Sequence, residues 1–260
     1  MANVLCKATQ LQVIHLLAEG NSIRSIERLT GVQRNTIGRL LLRFGNACQE
    51  LLDERMRDLE LRHVQCDEIW TFVGKKENRI PAVEKNHLIG DQFVYVALDT
   101  DTKVIATYAI GKRSADLTRR FMIDLRKRLV NGSIFRGEEV VQVSTDGFAP
   151  YPEAVDLAFG PHVKYGSIVK EFRNANRPYV PSEIVGSRRR AIFNMDQREQ
   201  RTICTSHVER SNLTMRTFIR RFTRLTLGFS KKLDRLAAAV ALHVAHYNFC
   251  RVQACWTMMP

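Results

Sequence analysis

The chain has 260 residues, of which 45% are hydrophobic and 26% are charged, an ordinary composition for a globular protein that buries a sizeable core. Its 40 Lys and Arg residues against 27 Asp and Glu give a net charge of +13, which favours an anionic partner such as nucleic acid. The sequence shows no apolar run of membrane-spanning length, no secretory signal segment and no C-x-x-C pair among its six cysteines. We therefore expect a cytoplasmic protein with free thiols and no membrane partner.

Residues 1–45 have the pattern of a helix-turn-helix. Apolar periodicity predicts a helix over 8–18 and a second one after Ser22, whose hydroxyl can cap the first turn. A turn at Gly31 leads into a third helix over 33–44. This order, with a glycine turn before the last helix, is typical of domains that place the last helix in a DNA major groove.

The predicted third helix begins with polar side chains that can bind base edges and phosphates. These candidate DNA-binding residues are Arg34, Asn35, Thr36 and Arg39. A small helical bundle used for oligomerisation is the alternative, but residues 1–45 hold six basic and two acidic residues, which favours DNA. The charged segment 46–62 is predicted to form a connecting helix between domains or a dimer contact.

The segment that follows has the pattern of a mixed sheet. The predicted strands are 63–73, 93–99, 103–111, 139–145 and 162–165. The predicted helices are 115–130, capped by Ser114, and 152–159. An antiparallel hairpin followed by alternating strands and helices is the order of a ribonuclease-H-like domain. We therefore predict an α/β protein with a ribonuclease-H-like mixed sheet over 63–252 and an N-terminal all-α domain over 1–45.

Two strands of this sheet carry candidate functional carboxylates. Asp67 lies in the middle of the first strand, where a carboxylate is costly to bury without a partner or a metal. Glu68 points to the opposite face and is predicted to support Asp67 rather than to act itself. Asp146 ends the fourth strand and precedes Gly147, at the edge where open α/β sheets bind ligands. Solvated edge-strand carboxylates and a simple Asp-Gly turn are the alternatives.

A third carboxylate, Glu209, lies in an arginine-rich segment, 206–224, that is predicted to be one helix. The residues predicted to share its face are Asn212, Leu213, Arg216 and Arg220, and the two arginines are candidate DNA-binding residues. A lone carboxylate beside arginines suits a metal ligand next to a bound phosphate, but a DNA-facing basic helix remains the alternative. His207 and Asn212 are possible accessory residues, and His207 either contacts the reacting region or packs.

The predicted topology brings Asp67, Asp146 and Glu209 to one point. Three like charges a few ångströms apart need a cation, and hard oxygen ligands suit Mg²⁺ or Mn²⁺. Two such ions roughly 4 Å apart would activate a water or a 3′-hydroxyl and stabilise the leaving oxygen of a phosphodiester. All three residues are therefore predicted as metal ligands and catalytic residues, with Asp67 between the two ions.

Three segments carry a resemblance to a known family. They are CDEIWTFVG around Asp67, STDGFAPYPEAV around Asp146 and HVERSNLTMRTFIRRFTRLTLGFSKKLDRLAAAVALHVAHYNFCR around Glu209. Over about residues 8–252 the chain resembles the DDE-type bacterial insertion-sequence transposases, in particular the insertion sequence one family. The resemblance implies a ribonuclease-H-like fold, a divalent metal, cleavage and strand transfer at the ends of the element, and terminal inverted repeats as the DNA partner. Because two ends and a target DNA must be held together, we also expect a homo-oligomer on DNA and a nucleoid location.

The chain departs from this family at both ends. Members commonly carry a cysteine zinc cluster before the helix-turn-helix, whereas only Cys6 precedes it here, and the family pattern stops after about Arg251. A non-catalytic DNA-binding regulator derived from a truncated transposase is therefore the alternative function. Such a regulator has no chemical need for the three carboxylates, which favours the enzyme. A ribonuclease-H-like nuclease for branched or hybrid nucleic acid is a third possibility, but it would not need a base-reading helix.

Residues 166–205 are predicted to be a basic, flexible insertion that grips the DNA backbone. Its basic residues are Arg173, Arg177, Arg188, Arg189, Arg190, Arg198 and Arg201, with Phe172 and Tyr179 between them. A disordered loop in the free protein is compatible with that role. On a last predicted helix, 231–250, His243 and His246 are interpreted as packing or surface residues, because no third metal ligand is evident.

Overall fold

The computed structural model describes residues 4–130, 134–135, 139–173, 183–223 and 228–251. The helices are α1 (Lys7–Ala18), α2 (Ile23–Thr30), α3 (Arg34–Arg55), α4 (Ala115–Arg128), α5 (Tyr151–Phe159), α6 (Ser206–Phe218) and α7 (Leu233–Phe249). The strands are β1 (His63–Val73), β2 (Gly90–Asp99), β3 (Ile105–Gly111), β4 (Ile134–Phe135), β5 (Glu139–Val140), β6 (Gln142–Asp146), β7 (Lys164–Arg173) and β8 (Glu183–Phe193).

Within the described residues, six strands form one mixed sheet in the order β3-β2-β1-β6-β7-β8. β1 pairs antiparallel with β2, and β2 pairs antiparallel with β3, so β1 and β3 run in the same direction. β6 pairs parallel with β1 on one side and with β7 on the other. A central strand between an antiparallel hairpin and parallel strands is the ribonuclease-H-like arrangement, and the predicted fold class is confirmed.

The sheet has a hydrophobic core on each face, because side chains of β1 alternate between the two. Ile69 and Val73 pack with residues of α3, α6 and α7. Cys66 packs on the opposite face against Phe121 of α4 and Tyr151 of α5. The helix that carries Glu209 therefore lies on the face to which Asp67, two residues before Ile69, also points.

The first two N-terminal helices lie where the sequence pattern predicts them, whereas the third is longer than predicted. Ser22 accepts a hydrogen bond from the backbone N–H of Ser25 at 3.0 Å, as expected for an N-cap. The predicted break near residue 45 is wrong, because α3 continues to Arg55. Gly45 costs such a helix about 1 kcal/mol of propensity, but it lets the helix lie against Ala238 of α7. The predicted boundary between residues 45 and 46 thus falls inside one helix.

The prediction of a flexible insertion over 166–205 is wrong for much of that segment. β7 extends well beyond the predicted end at Tyr165, and β8 pairs antiparallel with it as an edge strand of the sheet. β8 was not predicted because its exposed positions are arginines, so it lacks the apolar alternation by which a strand is recognised in a sequence. Arg177 and Tyr179 lie outside the described residues.

The helix that carries Glu209 is shorter than predicted, since α6 ends at Phe218 and a 3₁₀ turn spans Arg220–Phe222. Ile219 and Phe222 are both 3% exposed, and the chain leaves the helix where these side chains turn into the core. Arg220 therefore does not share a helix face with Glu209, contrary to the prediction.

α7 is buried along much of its length. His243 is 3% exposed and lies between the rings of Phe218 and Tyr247, at centroid distances of 6.5 and 6.1 Å. This placement confirms that His243 is a packing residue. In the part of the chain that the structure describes, no helix combines the length and apolar character needed to cross a bilayer.

Candidate active site

Three carboxylates meet where β6 ends beside the middle of β1. β1 and β6 are parallel neighbours with Gln65 opposite Ser144, so Asp67 lies beside Asp146, the last residue of β6. Asp67, Glu68 and Asp146 each offer an oxygen, and these oxygens all lie within 4.8 Å of one another. The structure thus brings together two of the three predicted carboxylates and adds Glu68.

The side chain of Asp67, on β1, is held in position by a contact with α6. The side-chain oxygen of Gln65 accepts hydrogen bonds from the backbone N–H groups of His207 and Val208, at 2.9 and 3.1 Å, which fixes the start of α6 over β1. One turn further along, the Asn212 amide donates to Oδ2 of Asp67 at 2.8 Å. Asn212, predicted as a possible accessory residue, therefore orients Asp67.

Burial and mutual repulsion act strongly on two of these carboxylates. Burial, and then the charge of Asp146, raise the pKa of Asp67 to about 6, and Glu209 contributes to the same shift. Burial, and then again Asp146, raise the pKa of Glu68 to about 7. The Tyr151 hydroxyl and the charge of Arg113 lower the pKa of Glu68 and offset only part of this shift. The cluster therefore has more negative charge than its surroundings balance.

Arg113 supplies part of the missing positive charge. Its guanidinium donates to Glu68 at 2.9 Å and to Asp146 at 3.4 Å, and lies 3.8 Å from the ring centre of Phe148. Arg113 is not among the site residues predicted from the sequence. Arg113 lies two positions after the end of β3, which runs in the same direction as β1. The position just after this strand was the sequence signal that could have placed Arg113 near the carboxylates.

Glu209 lies outside the group of three oxygens described above. Its carboxylate forms an ion pair with Lys170 of β7 and accepts a hydrogen bond from the Thr205 hydroxyl. Its charge nevertheless raises the pKa of Asp67, so the two carboxylates face the same region. His207, two residues earlier, is exposed, and its Nδ1 lies 3.2 Å from the Lys103 ammonium. Burial, and then the charge of Lys103, lower the pKa of His207.

The candidate DNA-binding residues lie at the start of α3, on β8, and on α6 with the turn after it. Arg34, Asn35 and Arg39 are exposed near the start of α3, while Thr36 is half-buried and accepts a hydrogen bond from Arg39 at 3.3 Å. Arg34 also pairs with Glu27 at 3.3 Å.

The other candidates lie farther along the chain. Arg188, Arg189 and Arg190 are exposed on β8, and Arg189 donates to the carbonyl of Ile203 at 2.8 Å. Arg216 is half-buried on α6, whereas Arg220 is exposed in the turn after it. Of these candidates, Arg34, Asn35 and Arg220 line one groove.

Comparison with solved structures finds similarity to complexes of the Mos1 mariner transposase. The strand transfer complex is 16% identical over 64% of this chain and 59% of that chain, with a TM-score of 0.26. The paired-end complex with Mn is 15% identical over 64% of this chain and 60% of that chain, with a TM-score of 0.27. The paired-end complex with Mg is 15% identical over 60% of this chain and 59% of that chain, with a TM-score of 0.25. The chain spans about three fifths of the length of these proteins. Because these TM-scores are below 0.5, the strand order, not this likeness, defines the fold.

No protein-family model matches the sequence, and comparison with curated proteins finds no relative.

Proposed function

We propose that this chain is a metal-dependent DNA transposase of the bacterial insertion-sequence type, with the insertion sequence one family as the resemblance that the sequence carries. The observation that supports it most is the meeting of Asp67, Glu68 and Asp146 where β6 ends beside the middle of β1 in a ribonuclease-H-like sheet. Carboxylates in this position suit phosphodiester chemistry with divalent ions.

The chemistry of the cluster fits Mg²⁺ or Mn²⁺. Its donors are hard carboxylate oxygens, and burial, followed by the charge of Asp146, raises the pKa values of Asp67 and Glu68. A bound cation would offset the repulsion among these carboxylates. When bound, such ions activate a water or 3′-hydroxyl and stabilise the leaving oxygen.

The residues in and around the carboxylate cluster have different roles in this proposal. Asp67 and Asp146 would hold the metal, and the amide of Asn212 keeps Asp67 in position. Glu209, now paired with Lys170, would be the third ligand, and its effect on the pKa of Asp67 supports this role. Arg113 balances Glu68 and Asp146 when no metal is present.

The proposal includes recognition of DNA at the ends of the element. Base contacts are assigned to the exposed start of α3, and backbone contacts to the arginines of β8 and to Arg216 and Arg220. The proposed organisation comprises a helix-turn-helix formed by α1, α2 and the start of α3, a connection through the rest of α3 to residue 62, and a catalytic domain over 63–252. The proposed partners are the terminal inverted repeats and the target DNA. The protein is proposed to act as a homo-oligomer on DNA, in the nucleoid of the cytoplasm.

Cleavage of a labelled duplex that carries the terminal repeat tests the proposal. The unaltered chain should cut it in Mg²⁺ or Mn²⁺, and Asp146→Asn should slow cutting by at least about 10³-fold because the amide binds a metal poorly. Binding of the same duplex should change less than about twofold, since the asparagine oxygen can still accept from the Phe148 N–H. Asp156→Asn, at an exposed carboxylate on α5, is the matched control and should cut normally.

Other outcomes would point elsewhere. Specific binding of the repeat without cleavage by the unaltered chain would favour the alternative, a DNA-binding regulator derived from a truncated transposase. Normal cleavage by Asp146→Asn would contradict the catalytic assignment.

A further inference from the structure

A basic groove lies on the N-terminal side of the molecule. One wall is formed by the start of α2 and the start of α3, and the other by the turn after α6 and the residues that lead into α7. The groove encloses about 680 Å³. Its cationic lining residues are Arg24, Arg34, Arg220, Arg221, Lys231 and Arg235, and no Asp or Glu of the described residues lines it.

Arg221 and Arg235 are the unusual pair in this groove. Both are half-buried, and neither forms an ion pair with an acidic side chain among the described residues. Burial, and then the charge of Arg235, lower the pKa of Arg221 to about 10. Nε of Arg235 is buried and has no hydrogen-bond partner in the described part of the chain. Two like charges held this way cost stability unless an anion neutralises them.

The fold positions Arg235 for this contact. Its guanidinium lies over Gly38 of α3, where an added Cβ would come within 3.1 Å of Nη1. Arg221 is tied to the sheet through its carbonyl, which accepts from the Thr71 hydroxyl of β1 at 3.4 Å. The backbone of Arg221 is thus fixed against the sheet, and the guanidinium of Arg235 lies close to α3.

We infer that this basic groove binds the sugar–phosphate backbone of duplex DNA, with Arg221 and Arg235 on one phosphate and Arg24, Arg220 and Lys231 on its neighbours. The inference rests on the proposed DNA-binding function and adds a site to it. Guanidinium forks match phosphate oxygens, and a line of cations without acids matches a polyanion better than a single small ion. Arg34 and Asn35 also line the groove, so the backbone contacts adjoin the proposed base-reading residues.

The test measures binding of a fluorescently labelled 30-base-pair duplex of arbitrary sequence by anisotropy, in EDTA, over a series of salt concentrations. Arg235→Gln and Lys231→Gln should each weaken binding about fivefold or more at low salt and reduce the slope of log K against log salt by about 0.9. Lys127→Gln, at an exposed lysine on α4, removes the same charge elsewhere and should change binding less than about twofold. Variants that behave like Lys127→Gln would overturn the inference.

A stability measurement separates binding from folding. Without DNA, Arg235→Gln should melt at the same temperature as the unaltered chain or higher, because it removes repulsion with Arg221. A lower melting temperature together with weaker binding would overturn the inference in favour of a structural role for Arg235. Stabilisation by millimolar inorganic phosphate that Arg235→Gln abolishes, with DNA binding unchanged, would overturn it in favour of a small-anion site.

The test also separates this inference from the proposed function. If the unaltered chain cleaves the terminal repeat and both groove variants bind DNA normally, the proposed transposase function is supported and the DNA-binding role of the groove is contradicted. Absence of any DNA binding by the unaltered chain would overturn both.

Discussion

At the scale of single residues, the candidate site depends on how four carboxylates and two cations balance. Asp67, Glu68 and Asp146 lie together without a full complement of positive charge, and Arg113 offsets two of them. Glu209 faces the same region but is paired with Lys170. The two glutamates therefore differ in function: Glu209 is the proposed ligand, whereas Glu68 is a buried neighbour whose charge is costly.

Paired substitutions of the two glutamates distinguish these roles. Glu209→Gln should reduce metal-dependent cleavage at least about 100-fold, because a proposed ligand is lost. Glu68→Gln should reduce cleavage less than about 10-fold and raise the melting temperature of the metal-free protein at pH 8, since a carboxylate whose pKa is about 7 is ionised there at a cost. Cleavage rates and thermal melts measure both effects. Loss of cleavage in Glu68→Gln with activity kept in Glu209→Gln would reverse the assignment.

His243 predicts a pH dependence of folding stability. Burial, and then the charges of His246 and Arg251, lower its pKa from 6.5 to about 4. Because the unfolded chain takes up a proton at higher pH than the folded one, the stabilisation is present above about pH 6.5 and is lost as pH falls towards 4.

Substitution of His243 tests that pH dependence. Between pH 7 and pH 5 the free energy of unfolding should fall by about 2 kcal/mol more in the unaltered chain than in His243→Phe, which keeps the ring between Phe218 and Tyr247. Urea unfolding at both pH values measures the difference. Equal losses in the two proteins would show that another group governs the acid sensitivity.

At the scale of elements, the packing of α3 on α7 decides the length of α3. Gly45 lies so close to α7 that an added Cβ would be 2.5 Å from the Cα of Ala238. Backbone atoms of a packed helix cannot move aside as a flexible side chain can. The glycine that looks like a helix end in the sequence is therefore the residue that permits close contact between two helices.

Two alanine substitutions in the same helix test this explanation. Gly45→Ala should destabilise the protein by about 2 kcal/mol, because the helices must separate. Gly38→Ala is the matched control: it meets only the side chain of Arg235, and its better helix propensity should leave stability unchanged or raise it by up to about 1 kcal/mol. Urea denaturation of the two variants gives the comparison. Equal effects would rule out the close approach as the cause.

At the scale of the whole molecule, the N-terminal helices and the sheet share one hydrophobic core. Ile37 and Leu41 of α3 belong to the same buried cluster as Ile69 of β1 and Val240 of α7. The predicted organisation treats residues 1–45 as a separate domain, whereas a continuous core predicts that the helices and the sheet unfold together.

Calorimetry of the full chain distinguishes these two expectations. A shared core predicts one cooperative thermal transition whose calorimetric and van't Hoff enthalpies agree. Two separated transitions, the first of which removes only helical signal, would contradict it and favour an independently folding helix-turn-helix domain. The measurement is made in EDTA so that metal binding does not stabilise the sheet selectively.

The sequence by itself determined the elements whose signals are local. Alternation of period two located β1, helical spacing located α1, and the hydroxyls of Ser22 and Ser114 predicted two N-caps that the structure confirms. The order of these elements was sufficient to predict the ribonuclease-H-like sheet and the meeting of Asp67 with Asp146.

Only the tertiary structure decided what depends on contacts between distant residues. The third carboxylate beside Asp67 and Asp146 is Glu68, and Arg113 balances it, because β3 and β6 end at the same edge as the middle of β1. The pairing of β7 with β8 and the approach of Arg221 to Arg235 likewise join segments that no local pattern connects. Periodicity reports which face of an element is buried, whereas the charge that lies opposite a given side chain is fixed only when the elements pack.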